Sequence, residues 1–308
     1  MADDNLSRSL GLYPTLMISI GAMIGSGIFV LPAIGFVEAG PSVIIAYLLA
    51  AVVVLPAALS KAELGTAMPE SGGDYLYIER ALGPLAGTIA GIGAWFSLVF
   101  KSAFALVGLG AYLSLITPFS TTQVTLVGVG LAVLIVTLNI VGTELTGQAQ
   151  ALVVSVVLVG LVAYVGNTAW LASTDGVTAD PSRLSGLTET APGTVVTAAA
   201  LVFVSYAGVT KIASVAEEVK DPDANLPRGI LGSLGIMAVV YVGVIGSIVV
   251  LNAPGVLAAE DGAHEASLTP MADGADALFA GYGTIIVSLL AVIALMSMAN
   301  AGVLSSSR

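Results

Sequence analysis

The chain has 308 residues, 57% of them hydrophobic and 9% charged, with a mean hydropathy of +1.01. A water-soluble domain carries roughly 25% charged residues, so a chain this apolar cannot cover itself with polar surface, and its solvent is lipid. The net charge of −11 argues against a nucleic-acid partner, and the absence of cysteine removes disulfides and thiolate metal sites.

The single histidine, His264, lies in a polar stretch and reads as a solvated loop residue. Haem, zinc and Cys/His nucleophile chemistry are thereby set aside, and no cofactor is expected. Met1 to Leu10 is polar and acidic, and the apolar run after it is longer than a signal-peptide core and broken by glycines. No cleavable leader is expected.

Eight apolar segments follow, each near the roughly 20 residues that cross hydrocarbon. They run about Tyr13–Phe36, Pro41–Leu64, Pro84–Ile116, Gln123–Val141, Gln148–Leu171, Gly193–Val219, Gly229–Leu251 and Leu278–Leu304. A polar, glycine-containing stretch, Gly65–Gly83, separates the second from the third. Long polar loops are expected at Ala172–Pro192 and Asn252–Ala275. Their acidity, concentrated in Asp175–Glu189 and Glu260–Asp276, suits either a high-salt habitat or ordinary solubilising loops.

With the N-terminus in the cytoplasm, Arg8, Lys61, Arg80, Lys220, Arg228 and Arg308 face inside and only Arg183 faces outside. The bias sets the orientation and makes both acidic loops external. The chain stops at Arg308 directly after the eighth segment, and is read as a piece of a longer protein.

Within the first segment stands Gly21-Ala22-Met23-Ile24-Gly25-Ser26-Gly27-Ile28-Phe29. Gly21 and Gly25 fit close helix packing through small residues alone. The run Gly25-Ser26-Gly27 is denser than packing requires, and it lets a helix unwind. Freed backbone groups are costly in lipid unless they line a polar cavity. A weaker counterpart, Phe203-Val204-Ser205-Tyr206-Ala207-Gly208-Val209, lies in the sixth segment, roughly 180 residues later. Interrupted first and sixth spans are what a five-plus-five internal repeat predicts, with a substrate site between them. The expectation rests on position, because no residue-level repeat is evident. A half-helix N-terminus offers N–H groups to an anion, and bare carbonyls accept from a cation. One pocket with both suits a zwitterion such as an amino acid.

These residues resemble the helix 1 signature of the amino acid–polyamine–organocation (APC) superfamily. So does Met68-Pro-Glu-Ser-Gly72-Gly73-Asp-Tyr75-Leu-Tyr77-Ile-Glu-Arg-Ala-Leu-Gly83-Pro84, and so does Ala216-Glu217-Glu218-Val-Lys220-Asp-Pro222-Asp-Ala-Asn225-Leu-Pro227-Arg228. Asn139-Ile-Val-Gly142 and Asn300 to Arg308 are similar too, and the matches keep the family's order along the chain.

The resemblance implies an all-α integral membrane protein with a leucine-transporter-like inverted repeat. The chain would be one transmembrane domain over residues 1–308, with helices 1–5 in about 1–171 and an incomplete second repeat in about 193–308. The resemblance also implies amino-acid transport across the cell membrane by alternating access, coupled to protons or sodium. The substrate carboxylate would rest on the amides of Gly25, Ser26 and Gly27, with the Ser26 hydroxyl and Ile24 alongside. The ammonium would rest on carbonyls of Met23, Val204 and Ala207. Ser205, Tyr206 and Gly208 would border the pocket, with Tyr206 as a gate.

One departure concerns coupling. Some proton-coupled members carry a helix 5 lysine seven residues after a glutamine and three before a glycine. Counted from Gln150 and from Gly160, that position is Val157 here. Lys101, mid-way along the third segment, is expensive in lipid unless partnered or snorkelling. It is a candidate to replace the absent lysine, as a fixed cation or a proton carrier. Lys211, three residues past Gly208, faces either a vestibule or the inner half of its helix. Glu217 and Glu218 suit acid–base work or, more readily, structural or gating ion pairs, and Trp95 and Trp170 read as packing or interface anchors. Ser305 and Ser306 fit either a sodium site or plain packing.

Other classes fit less well. A membrane enzyme lacks a metal or nucleophile constellation. A photoreceptor would need a lysine in its last span, and direct ATP drive would need a P-loop. A non-transporting amino-acid sensor of the same fold would carry the same binding residues. An apolar pocket would favour neutral amino acids, while Lys101 and the acidic residues pull against that reading.

Overall fold

The computed structural model describes residues 10–68, 73–141, 147–174, 178–257 and 266–306. His264, Gly72, Gly142 and the acidic positions 258–265 lie outside the described residues. Among those described, every named element is helical.

The expected first span divides into α1 (Leu12–Met23), α2 (Ser26–Phe29) and α3 (Leu31–Ala39). A turn through Gly40, at φ 54, and Pro41 leads into α4 (Val43–Ala67). The stretch expected only to be polar contains α5 (Gly73–Leu82). Gly83, at φ 90, ends it, and Pro84 then takes the first position of α6 (Pro84–Ile116), where its missing N–H costs nothing.

Next come α7 (Thr121–Val141), α8 (Gly147–Thr174) and α9 (Pro192–Val202). From Phe203 to Glu218 the chain winds as a 3-10 helix. Such runs rarely exceed three or four residues, and a mid-helix stretch marks a hinge or a strained sequence. The chain re-enters α-helix at Pro222, earlier than hydropathy suggested, to form α10 (Pro222–Leu251). The short α11 (Pro254–Leu257) and α12 (Pro270–Asp273) precede α13 (Gly283–Ser306).

The eight-span expectation is therefore coarser in the structure. Among the described residues, six helical stretches are long and apolar enough to cross a bilayer: 31–67, 84–116, 150–174, 192–209, 222–251 and 283–303. The helices Leu12–Met23 and Thr122–Thr137 are apolar but shorter. The first falls short because its helix is interrupted.

Glycines set the closest packing. A Cβ on Gly302 of α13 would lie 1.9 Å from the Ser102 hydroxyl of α6, and one on Gly21 would lie 2.4 Å from Val154 of α8. The Ser19 and Ser233 hydroxyls join α1 to α10 at 2.6 Å.

Backbone pairing sorts the ends by side. Leu10 N–H donates to Glu218 C=O at 2.9 Å and Lys220 N–H to Leu10 C=O at 2.8 Å, so α1 and α10 start on one face. At the opposite ends, Thr190 donates to Ala39 C=O at 3.0 Å, and Arg183 donates to Val250 C=O at 2.6 Å. Outward, Leu85, Ile89, Leu126, Val159 and Val239 are all more than half exposed. A belt of this kind suits acyl chains and would aggregate in water.

Candidate functional site

Helix 1 stops at Met23 and restarts at Ser26, with Ile24 and Gly25 extended between them. Such a gap strands C=O groups at the end of α1 and N–H groups at the start of α2. Buried and unpaired, each would cost several kcal/mol in a lipid-embedded core. The surrounding helices supply the missing partners.

Lys101 of α6 donates from Nζ to Ala22 C=O at 2.8 Å. The Tyr241 hydroxyl of α10 lies 2.8 Å from Met23 C=O and 3.1 Å from Ser205 C=O. Tyr47 of α4 donates to Gly27 C=O at 2.7 Å, and Tyr112 of α6 donates to Phe29 C=O at 2.7 Å. On the N–H side, the Ser26 amide faces the Met298 sulfur of α13 at 3.2 Å. Four elements thus hold one discontinuity from different directions.

The 3-10 segment packs directly against it. A Cβ on Gly208 would stand 2.3 Å from the carbonyl carbon of Ala22, so only glycine admits this approach. Likewise, a Cβ on Gly27 would stand 2.8 Å from the Ser205 side chain, whose hydroxyl reaches Gly27 C=O at 3.4 Å. The Gly25–Gly27 and Val204–Gly208 stretches therefore touch.

Between them and α6 lies a cavity of about 220 Å³. Met23, Ser26, Gly27, Val204, Ser205 and Lys101 line it, and Leu31, Ser97, Phe100 and Phe104 complete the wall. The lining is mostly apolar, with one ammonium and a few hydroxyls.

The remaining anticipated residues sit behind that wall. Ile24 and Gly25 are buried, Gly25 beneath Met298. Tyr206 is fully buried, edge-on to Tyr241 with ring centres 5.0 Å apart, and its hydroxyl has no hydrogen-bond partner among the described residues. Gly208 is covered by Ala22 and Met23, while Ala207 is exposed on the 3-10 segment. Val157 is buried in the core. The helix carrying Ser305 and Ser306 ends at Ser306, and their side chains, like that of Lys211, lie outside what is described. Glu217 and Glu218 are part-exposed at the end of the 3-10 segment.

Sequence reasoning missed Tyr47, Tyr112, Tyr241 and Met298. A tyrosine inside an apolar span must find a partner for its hydroxyl, and that signal was available. For Met298 there was none.

Beyond the cavity, the loop before α13 folds inward. Asn252 donates to Pro270 C=O at 3.1 Å, and Met271, Ala272 and Leu278 are buried. Asp273 accepts hydrogen bonds from Ser267 and, at 2.7 Å, from Thr269. Burial raises its carboxyl above the ordinary value of 3.8. Asp180, exposed on the same face, is lowered instead by hydrogen bonds from Ser182.

Apolar spans around a cavity, built where one helix breaks against a 3-10 segment, define a multi-pass membrane protein. The chain belongs to the amino acid permease family of the APC superfamily, which it matches over residues 15–308. Members of this family are permeases, not enzymes.

Among its relatives, an uncharacterized transporter of Mycobacterium tuberculosis is 34% identical over 82% of this chain and 54% of its own length. The branched-chain amino acid permease BcaP of Bacillus subtilis is 30% identical over 78% of this chain and 54% of the relative. A cationic amino acid transporter of Arabidopsis thaliana is 30% identical over 78% of this chain and 44% of the relative. The chain spans about half the length of the curated relatives it matches.

Proposed function

We propose that this chain forms the substrate-binding part of a secondary active amino-acid transporter of the cell membrane. It works by alternating access, on a leucine-transporter-like five-plus-five repeat with its N-terminus in the cytoplasm. The substrate carboxylate rests on the amides of Gly25, Ser26 and Gly27, with the Ser26 hydroxyl nearby. The ammonium rests on carbonyls of Met23, Val204 and Ala207, Met23 sharing its oxygen with Tyr241. Tyr206 gates the pocket by leaving its contact with Tyr241.

One observation carries the reading: the helix 1 break and the 3-10 segment touch, and a cavity opens on both. Peptide groups of both polarities, held at present by side chains, then border one small volume, which is the chemistry a zwitterion needs. The relatives' names disagree about the side chain, one specifying branched-chain and another cationic amino acids. Lys101 speaks against a cationic side chain, because a second positive charge beside it in an apolar cavity would be repelled.

Lys101 also suits a coupling role. Its ammonium holds the Ala22 carbonyl that the break sets free, so losing its proton would weaken that tie and free the end of α1. Sodium held by Ser305 and Ser306 is the other coupling scheme. Uptake of labelled amino acids by the protein in proteoliposomes, with and without sodium and with an imposed pH gradient, tests the proposal. Saturable uptake of a neutral amino acid is expected, and no uptake of any amino acid contradicts it. Binding without counterflow would instead indicate a sensor of the same fold.

A further inference from the structure

Met298 sits on α13 with 3% of its surface exposed. Its sulfur lies 3.2 Å from the Ser26 amide nitrogen and 3.8 Å from the Ser26 hydroxyl. A Cβ on Gly25 would lie 1.9 Å from the same sulfur, so the thioether fills the space directly over the helix break. It closes off a donor at the edge of a cavity whose other walls include Gly27, Ser205 and Lys101.

A thioether is a poor partner for that donor, because sulfur accepts weakly. A carboxylate oxygen forms a charge-assisted bond roughly twice as strong as a neutral one. Methionine is also unbranched and flexible, so it can vacate the amide without its helix moving. The helix itself is held: Gly302 packs on Ser102, and Ser297 exchanges hydrogen bonds with Gln150 at 3.0 and 3.3 Å.

We infer that Met298 is a displaceable cap on the Ser26 amide, and that a ligand carboxylate takes this donor by turning the thioether aside. Met298 thereby sets how strongly the pocket prefers a carboxylate-bearing ligand over the same ligand without one. The inference rests on the proposal that the Gly25–Gly27 amides receive the carboxylate.

The test compares an amino acid with the amine left by its decarboxylation, for example L-leucine with 3-methylbutylamine, in equilibrium binding to the purified protein. The readout is the ratio of the amine Kd to the amino-acid Kd. Met298→Ala removes the competing acceptor and should raise this ratio about twofold, the value of a hydrogen bond at the weak end of the ordinary range. Met298→Gln keeps an unbranched chain of similar length with a stronger acceptor, and should lower the ratio.

A merely structural residue would move both variants the same way. A ratio unchanged in either variant, or shifted in one direction by both, overturns the inference while leaving the site intact. Should one variant fail to fold, the other decides against the wild type. A wild type with no preference for the amino acid over the amine overturns the underlying site as well.

Discussion

Tyr241 shows how much of the site rests on single hydroxyls. Its oxygen lies 2.8 Å from Met23 C=O on helix 1 and 3.1 Å from Ser205 C=O on the 3-10 segment. Tyr241→Phe should leave a buried carbonyl short of its donor and cost about 1–3 kcal/mol. A lower midpoint of thermal unfolding in detergent would register that loss, and an unchanged midpoint would count against the bridge. Gly208→Ala presses a methyl group onto the Ala22 carbonyl, 2.3 Å away. Overpacking of this kind costs about 1–3 kcal/mol, and it should weaken amino-acid binding as it separates the two segments.

Lys101→Met removes the ammonium but keeps an unbranched apolar stem. If Lys101 carries the coupling proton, the variant's uptake should lose the wild type's dependence on pH. An unchanged profile removes Lys101 from coupling. At this scale, the sequence made Gly25-Ser26-Gly27 and Lys101 legible, because glycine clusters and buried charges are costly in lipid and so stand out. Met298 stood out by nothing: it is one apolar residue among many, 272 positions from the amide it covers.

The elements were legible where composition changes sharply. Pro84–Ile116 matches the expected span at both ends, because Gly83-Pro84 and the Thr117-Pro118 pair punctuate it. The 3-10 character of Phe203–Glu218 was not legible beyond a weak glycine signal, since it follows from packing against α1 rather than from local propensity. The loop before α13 was read as merely polar, yet Met271, Ala272 and Leu278 are buried.

That loop gives a pH prediction. Burial favours the neutral form of Asp273, so its carboxyl contributes stability below the ordinary value of 3.8 and loses it as pH rises through the raised folded value. Asp180 has the opposite sign, which masks the effect in the wild type alone. The difference between wild type and Asp273→Asn isolates it: relative to the variant, the wild type should lose unfolding midpoint as pH rises above about 4. A flat difference curve would show that Asp273 is not held in a buried setting.

For the whole molecule, composition sufficed to name the solvent, because a chain with 9% charged residues has no other way to satisfy its surface. The exposed apolar belt is the structural counterpart. The number of spans was less legible. A broken helix reads as one continuous apolar run, although α1 by itself is too short to cross. Both ends of the bundle are tied by backbone hydrogen bonds between distant segments, Leu10 with Glu218 and Lys220 at one and Asp180 with Val250 at the other.

The chain has no cysteine, so one introduced thiol reports on one place. Ser97 lines the cavity wall opposite the break. A Ser97→Cys variant treated with a water-soluble thiol reagent should label freely alone and slowly with a saturating neutral amino acid, while the matching amine protects less. Labelling at the same rate with and without every amino acid would contradict binding at the paired helix interruptions.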